Sequence, residues 1–291
     1  MNKYARLRER CLAEGVLRPE DLLEPAAAAW EELALVHGAQ YLERVRTGTL
    51  DAAEQRRIGF PWSLEMVERS RRSAGATICA ARAALDDTGA RGWGIALNLA
   101  GGTHHAHADH GEGFCVFNDA AVATRVLQRE GRVERVAIID LDVHQGNGTA
   151  AIFVADPTVH TFSVHGARNF PFRKTRSTLD VELADGAGDE VLLAAVETYV
   201  PQILAEFRPD LVLYLAGADP YHDDRFGRLG MSKSGLRERD HLVLGLCRDA
   251  GVPVAVAMAG GYARDTEDTV DIHVETVRLV AALSRPRHKS H

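Results

Sequence analysis

The chain is short of the features that mark secreted, membrane-spanning and nucleic-acid-binding proteins. Its 4 cysteines (Cys11, Cys79, Cys115, Cys247) are far apart and form no C-x-x-C pair. In a chain of 291 residues they read as reduced, buried thiols of a cytoplasmic protein, not as a disulfide framework. The amino terminus, M-N-K-Y-A-R-L-R-E-R, is charged and lacks the apolar segment of a signal peptide. No apolar run approaches the ~18 residues of a membrane span. Basic residues are outnumbered, 34 against 41, for a formal charge of −7 with histidine neutral. That balance argues against a nucleic-acid-binding face. No internal repeat and no linker rich in Pro, Gly and Ser divides the chain. What is present is an ordinary globular composition, 46% hydrophobic and 26% charged, long enough to bury a substantial core.

The stretch 136–147, V-A-I-I-D-L-D-V-H-Q-G-N, organises the rest. Four apolar residues run into Asp140, Asp142 and His144, as in a buried strand that turns polar where it leaves the sheet. Strand side chains alternate faces, so a spacing of two predicts that these three groups point the same way. Two carboxylates and an imidazole on one face call for a positive centre between them. A divalent metal supplies one, and mixed Asp and His ligands suit zinc with a position left open. The alternative is a strand end carrying solvated acids.

Taken in order, residues 3–14 read as a helix with Tyr4, Leu7 and Cys11 on one face. Pro25 is placed to open a second helix, and 26–46 is rich in helix formers. His37 and Tyr41, four apart, read as a core-facing helical stripe. A turn at 59–62 precedes a long helix at 63–85, capped by Ser63. A strand at 94–99 leads into G-G-T-H-H-A-H-A-D-H-G-E-G-F, a compact polar loop flanked by glycines. A helix at 118–128, the organising strand at about 135–143 and a strand at 158–164 follow. Residues 166–188 read as irregular. A helix at 190–207 is bent near Pro201, and a strand at 210–215 ends in A-G-A-D-P. A helix at 236–250, a strand at 252–258 ending in A-G-G-Y and a helix at 268–284 complete the pattern, with 285–291 a disordered tail. Alternating strands and helices predict one α/β domain over residues 1–291, with a mostly parallel sheet and helices on both faces. In such sheets ligands bind beyond the carboxyl ends of the strands, so the four polar loops should converge.

Convergence would assemble a reaction centre. Asp142, His144 and Asp219 make three metal ligands with a fourth position open, the pattern of a catalytic rather than a structural zinc. His104 and His105 suit acid–base work near neutral pH. Tyr262, after two glycines, is placed to donate to a developing oxyanion. These parts suffice for metal-assisted hydrolysis of an amide.

The motifs G-G-T-H-H (101–105), G-F-C (113–115), D-L-D-V-H-Q-G-N (140–147), A-G-A-D (216–219) and G-G-Y (260–262), in this order and spacing, resemble the zinc-dependent histone deacetylase family. The opening K-Y-A-R-L-R-E-R and the stretch S-T-L-D-V-E-L-A-D-G look most like its bacterial class IV-like members. The resemblance implies an arginase/deacetylase-like fold and removal of an acetyl or other acyl group from lysine, in a peptide or protein, or from a lysine-like amine. The charge balance and the lack of a membrane-length apolar run predict no nucleic-acid or membrane partner. Carried over residue by residue, the resemblance makes Asp142, His144 and Asp219 the zinc ligands and His105 the general base toward the attacking water. His104 becomes an electrostatic partner or second proton donor, with Asp140 accepting from it and Asn147 doing the same for His105. Gly113, Phe114, Phe170 (or Phe172), Gly260 and Gly261 would border the acyl-lysine channel. A potassium ion would lie behind the zinc, held through Asp140, Asp142, His144 and Ser163.

His107, His110 and His222 read as rim or solvent residues, His165 as buried and hydrogen-bonded, and Cys115 as a small buried side chain. Other activities fit less of the sequence. An acetylpolyamine deacetylase would use the same centre. An arginase-like dimetal enzyme would need a ligand where Gly146 stands. A non-enzymatic acyl-lysine binding module would not need the full set of polar residues. Relatives carry a strand and a loop ahead of K-Y-A-R-L-R, a segment absent here, which predicts either a shorter sheet edge and altered channel rim or a start taken too late.

Overall fold

A computed structural model describes residues 3–88 and 93–284. The first half is mainly helical: α1 (Lys3–Ala13), a single turn α2 (Trp30–Leu33), α3 (Ala39–Thr47), α4 (Ala52–Ile58) and the long α5 (Leu64–Asp86). Strands and helices then alternate: β1 (Ile95–Asn98), α6 (Asp119–Arg129), β2 (Val136–Asp140), α7 (Asn147–Phe153), β3 (Val159–Gly166) and β4 (Leu179–Leu183). The chain finishes with α8 (Asp189–Gln202), β5 (Leu211–Leu215), α9 (Lys233–Asp249), β6 (Val254–Ala257) and α10 (Thr266–Ser284). The strands form one 6-stranded sheet in the order β1-β6-β5-β2-β3-β4. All five pairings are parallel.

The sheet is apolar because both faces are covered. Every residue of β2 and β5 is buried, which is why V-A-I-I and L-V-L-Y-L run without alternation. Successive residues still point to opposite layers. Ile139 joins Leu7, Val196, Leu244 and Val277 on the side of α1, α8, α9 and α10. Ile138 joins Leu33, Val45, Ile78 and Val126 on the side of α2, α3, α5 and α6. The mostly parallel sheet and the two helical layers expected above are therefore present. No helix among the described residues is long and apolar enough to cross a membrane.

Local chemistry sets several boundaries. Ser63 Oγ accepts from the Met66 N–H at 3.0 Å and opens α5. Asn118 Oδ1 accepts from the Ala121 N–H at 3.0 Å and opens α6. Pro201 lies inside α8, and two residues later the ladder widens into a π-helical segment, Ile203–Phe207.

The structure corrects the sequence reading in four places. Residues 26–46 hold two short helices rather than one, and Pro25 precedes extended chain. Helix α4 stands in a stretch given no element above, although Asp51 and Glu54 form a capping box there. Residues 166–188 contain the edge strand β4. The organising strand stops at Asp140, so Asp142 and His144 come together through the loop that follows, not by strand alternation. The expected tail at 285–291 lies outside the described residues.

Candidate metal and catalytic centre

The loops after β2, β5 and β6 meet at the carboxyl end of the sheet. One ligand atom from each of Asp142, His144 and Asp219 lies within 4.8 Å of the others. His144 Nδ1 is 3.0 Å from Asp142 Oδ1 and 3.2 Å from Asp219 Oδ2. Both carboxylates are buried. Backbone donors aim them: Gly260 N–H donates to Asp142 Oδ2 at 2.8 Å and Val143 N–H to Asp219 Oδ1 at 2.9 Å. Among the described residues, Asp219 Oδ2 itself accepts no hydrogen bond of good geometry. A Cβ at position 260 would fall 1.9 Å from that oxygen, so the close approach requires glycine there.

The electrostatics ask for a cation. Burial and the charge of Asp142 push Asp219 upward from the usual carboxylate range. Burial works against a charge on His144, but the carboxylates of Asp142 and Asp219, 3.0 and 3.2 Å from its Nδ1, outweigh this and push it up to about 10. Two buried carboxylates, one imidazole and an unsatisfied inward-facing oxygen fit a divalent ion that accepts mixed O and N ligands.

His104 and His105 stand beside this cluster with ring centroids 4.2 Å apart. His104 Nδ1 is 2.6 Å from Asp140 Oδ2, and His105 Nδ1 is 2.7 Å from Asn147 Oδ1. The Asn147 amide is oriented by its nitrogen, which donates to Glu112 Oε2 at 2.9 Å and lies 3.1 Å from His107 Nε2. Its oxygen therefore accepts from His105 Nδ1–H, leaving His105 Nε2 as the acceptor. Burial opposes a charge on His104, yet Asp140 and Asp142 hold it up at about 9. His105 is depressed well below the usual value by burial and by the adjacent His104 and His144. Two neighbouring imidazoles are thus driven to opposite protonation states.

A cavity of about 740 Å³ opens onto Asp142, His144, Asp219, His104, His105 and Tyr262. Phe170 lies edge-on to His105 at 4.9 Å. Gly113 has φ +54°, and a Cβ there would be 2.6 Å from the His105 ring. Phe114 and Tyr262 are partly exposed, with centroids 5.9 Å apart, and Phe172 lies farther out, 88% exposed. Gly261 presents its carbonyl to Lys3 Nζ at 3.1 Å. Ser163 pairs in register with Asp140, and its Oγ is 2.9 Å from His165 Nδ1. Cys115 is buried, which pushes its thiol up, away from nucleophilic use. His222 is exposed. His107 and His110 are not free solvent residues: their rings stack at 4.4 Å, and with Glu112 they form a second close set of ligand-type atoms.

Several residues that support the centre were not linked to it by the sequence reading. Asp119 accepts from Thr77 Oγ1, Gly102 N–H, Thr103 N–H and Thr103 Oγ1, between 2.5 and 2.9 Å, and so fixes the loop that carries His104 and His105. His37, expected on a helical stripe, is buried in the turn before α3 and bridges His107 O and the Asn118 N–H. Tyr41, buried on α3, donates to Val116 O at 2.8 Å. Arg239, buried on α9, donates to Leu141 O at 3.2 Å and Gly217 O at 2.6 Å, tying together the ends of β2 and β5. Lys3 Nζ lies 4.8 Å from the Tyr262 ring centroid. Apart from the spacing that turned His37 and Tyr41 toward the core, none of these has a local sequence signal beyond its residue type, because each partner is distant in the chain.

The sequence profile of the histone deacetylase domain matches residues 1–277. An uncharacterized protein of Picosynechococcus sp. is 45% identical over 273 residues, covering 94% of this chain and 89% of that protein. Histone deacetylase 2 of Arabidopsis thaliana is 29% identical over 285 residues, covering 95% of this chain and 72% of that protein. Among solved structures, a histone deacetylase homologue from Aquifex aeolicus superposes with a TM-score of 0.80 at 22% identity, over 96% of this chain and 77% of that one. The profile spans nearly the whole chain, and this chain belongs to the histone deacetylase family.

Proposed function

We propose that the chain is a zinc-dependent amidohydrolase that removes an acetyl or other acyl group from the ε-amine of lysine or a lysine-like amine. The carrying observation is the cluster of Asp142, His144 and Asp219 on the floor of a cavity that also presents His105 and Tyr262. When bound by those three residues, zinc would polarise the amide carbonyl and acidify the attacking water.

The protein's own groups do the rest. His105, neutral and holding its free nitrogen as acceptor, takes the proton from the attacking water and delivers it to the departing amine. His104, held cationic by Asp140, disfavours a second positive charge on His105 in the resting state. Tyr262 donates its hydroxyl to the carbonyl oxygen as that oxygen becomes negative. Phe170, Phe114 and Gly113 border a channel for the apolar stem of the acylated side chain. Oxygen donors about Asp140 and Ser163 suit a potassium ion behind the centre, held with Asp142 and His144. The whole of 1–291 would act as one catalytic domain.

The test is turnover of a fluorogenic acetyl-lysine by the purified protein, before and after chelation and with zinc restored. Loss on chelation and recovery with zinc support the reading. Undiminished turnover by metal-free protein would remove it.

A further inference from the structure

The mouth of the cavity has the opposite sign of charge to the rest of the chain. Acidic residues outnumber basic ones, 41 to 34. Yet Arg56, Arg57, Arg168, Arg225 and Arg228 all line the cavity that holds the candidate centre. The acids on that lining are Asp142 and Asp219 at its floor and Glu112, which accepts from the Asn147 amide. The arginines come from three separate places: the last turn of α4, the loop after β3 and the loop after β5. They therefore reach the cavity from separate parts of the chain, with Arg168 and Arg228 brought together on Asp185.

Elsewhere arginine is mostly neutralised locally, as in Arg10 with Glu14, Arg44 with Glu54 and Arg125 with Asp156. At the mouth, Arg168 and Arg228 share the single carboxylate of Asp185, at 3.0 and 3.2 Å. Arg225 donates to a backbone carbonyl, that of Arg264, at 2.9 Å. Arg56 and Arg57 have no ion-pair partner among the described residues. Guanidinium groups left with donors to spare are forks for carboxylates.

Resting on the deacylase reading above, we infer that the arginine cluster selects acyl-lysine carried in an acidic peptide segment and disfavours basic tails and polyamines. With the acylated side chain in the channel, the flanking residues must lie across the mouth. Asp and Glu flanks meet guanidinium groups, whereas Lys- and Arg-rich flanks meet like charge. The effect is electrostatic and partly exposed, so it acts on binding and capture and weakens with salt.

The experiment uses the zinc-loaded protein and three peptides with the same central acetyl-lysine but acidic, neutral or basic flanks, with N-acetylspermidine as a fourth substrate. Two or three exposed pairs predict a preference for the acidic over the basic peptide of about tenfold in kcat/KM at low salt. That ratio should shrink as salt is raised to about 1 M, where the screening length is ~3 Å. The double charge reversal Arg57→Glu with Arg225→Glu should lower or invert the ratio. Arg129→Glu, at the end of α6 away from Asn118, alters one charge outside the mouth and should leave it as in the parent. Equal turnover of all three peptides, a preference for the basic peptide or for N-acetylspermidine, or a ratio untouched by the double reversal would overturn the inference. Failure of every substrate, the neutral peptide included, would instead count against the deacylase reading. Equilibrium binding of the same three peptides then carries the same comparison, with equal affinities overturning the inference.

Discussion

His105 Nδ1 lies 2.7 Å from Asn147 Oδ1, and this contact decides which imidazole nitrogen is left to accept a proton. The Asn147 amide cannot turn over without giving up its donation to Glu112 Oε2. A neutral amide also leaves His105 without the anionic partner that His104 has in Asp140. The pair is thereby split into a charged member and a neutral one.

Asn147→Asp places a carboxylate where the amide oxygen stands, and a carboxylate stabilises imidazolium. A base works only when neutral, so raising its pKa makes activity fall at a higher pH. In the parent protein the acid limb of kcat/KM should lie below the ordinary histidine value of about 6.5, because burial and its cationic neighbours depress His105. In Asn147→Asp that limb should move up by about one unit or more. A pH–rate profile checks this, and superimposable profiles would remove Asn147 from the tuning of His105.

Tyr262 tests the oxyanion donor. Its ring sits against Phe226 at 5.3 Å and Phe114 at 5.9 Å, contacts that phenylalanine would keep. Tyr262→Phe should therefore retain fold, metal and KM while losing ~10²–10³ in kcat. Near-parental kcat would reduce Tyr262 to a packing residue.

His37 gives a prediction about stability. Both ring nitrogens are used in its neutral form, with Nδ1 at His107 O and Nε2 accepting from the Asn118 N–H, and burial lowers its pKa to about 4. The unfolded chain takes up the same proton at about 6.5. The stabilising contribution is thus complete above the unfolded value, shrinks as pH falls toward the folded one, and amounts to about 3 kcal/mol. His37→Gln can keep a donor and an acceptor without titrating. Urea midpoints at neutral and acid pH should show a smaller acid loss for the variant, and equal losses would contradict the assignment.

The comparison of sequence with structure follows the range of each interaction. Asp140, Asp142, His144, Asp219 and Tyr262 were legible because apolar runs end in them, and a parallel sheet gathers its strand ends at one edge. Strand β4 was missed although L-D-V-E-L alternates with period two, because its half-buried edge position and the irregular chain before it masked the signal. Asp119 was not legible. Its partner Thr77 is 42 positions away, and nothing in N-D-A-A distinguishes a loop-fixing carboxylate from an ordinary first-turn acid. Nor was Arg239, which sits in a helix otherwise read by periodicity yet serves the carbonyls of Leu141 and Gly217. The arginine cluster escaped for the same reason, being assembled from one helix end and two distant loops.

The central claim is that Asp142, His144 and Asp219 hold one divalent ion on which hydrolysis depends. Metal content per chain, measured on the parent and on Asp219→Ala alongside turnover of acetyl-lysine, tests it most directly. The account predicts a stoichiometric divalent ion and hydrolysis in the parent, with both lost in a variant that still folds. Full metal content or parental turnover in folded Asp219→Ala would contradict it.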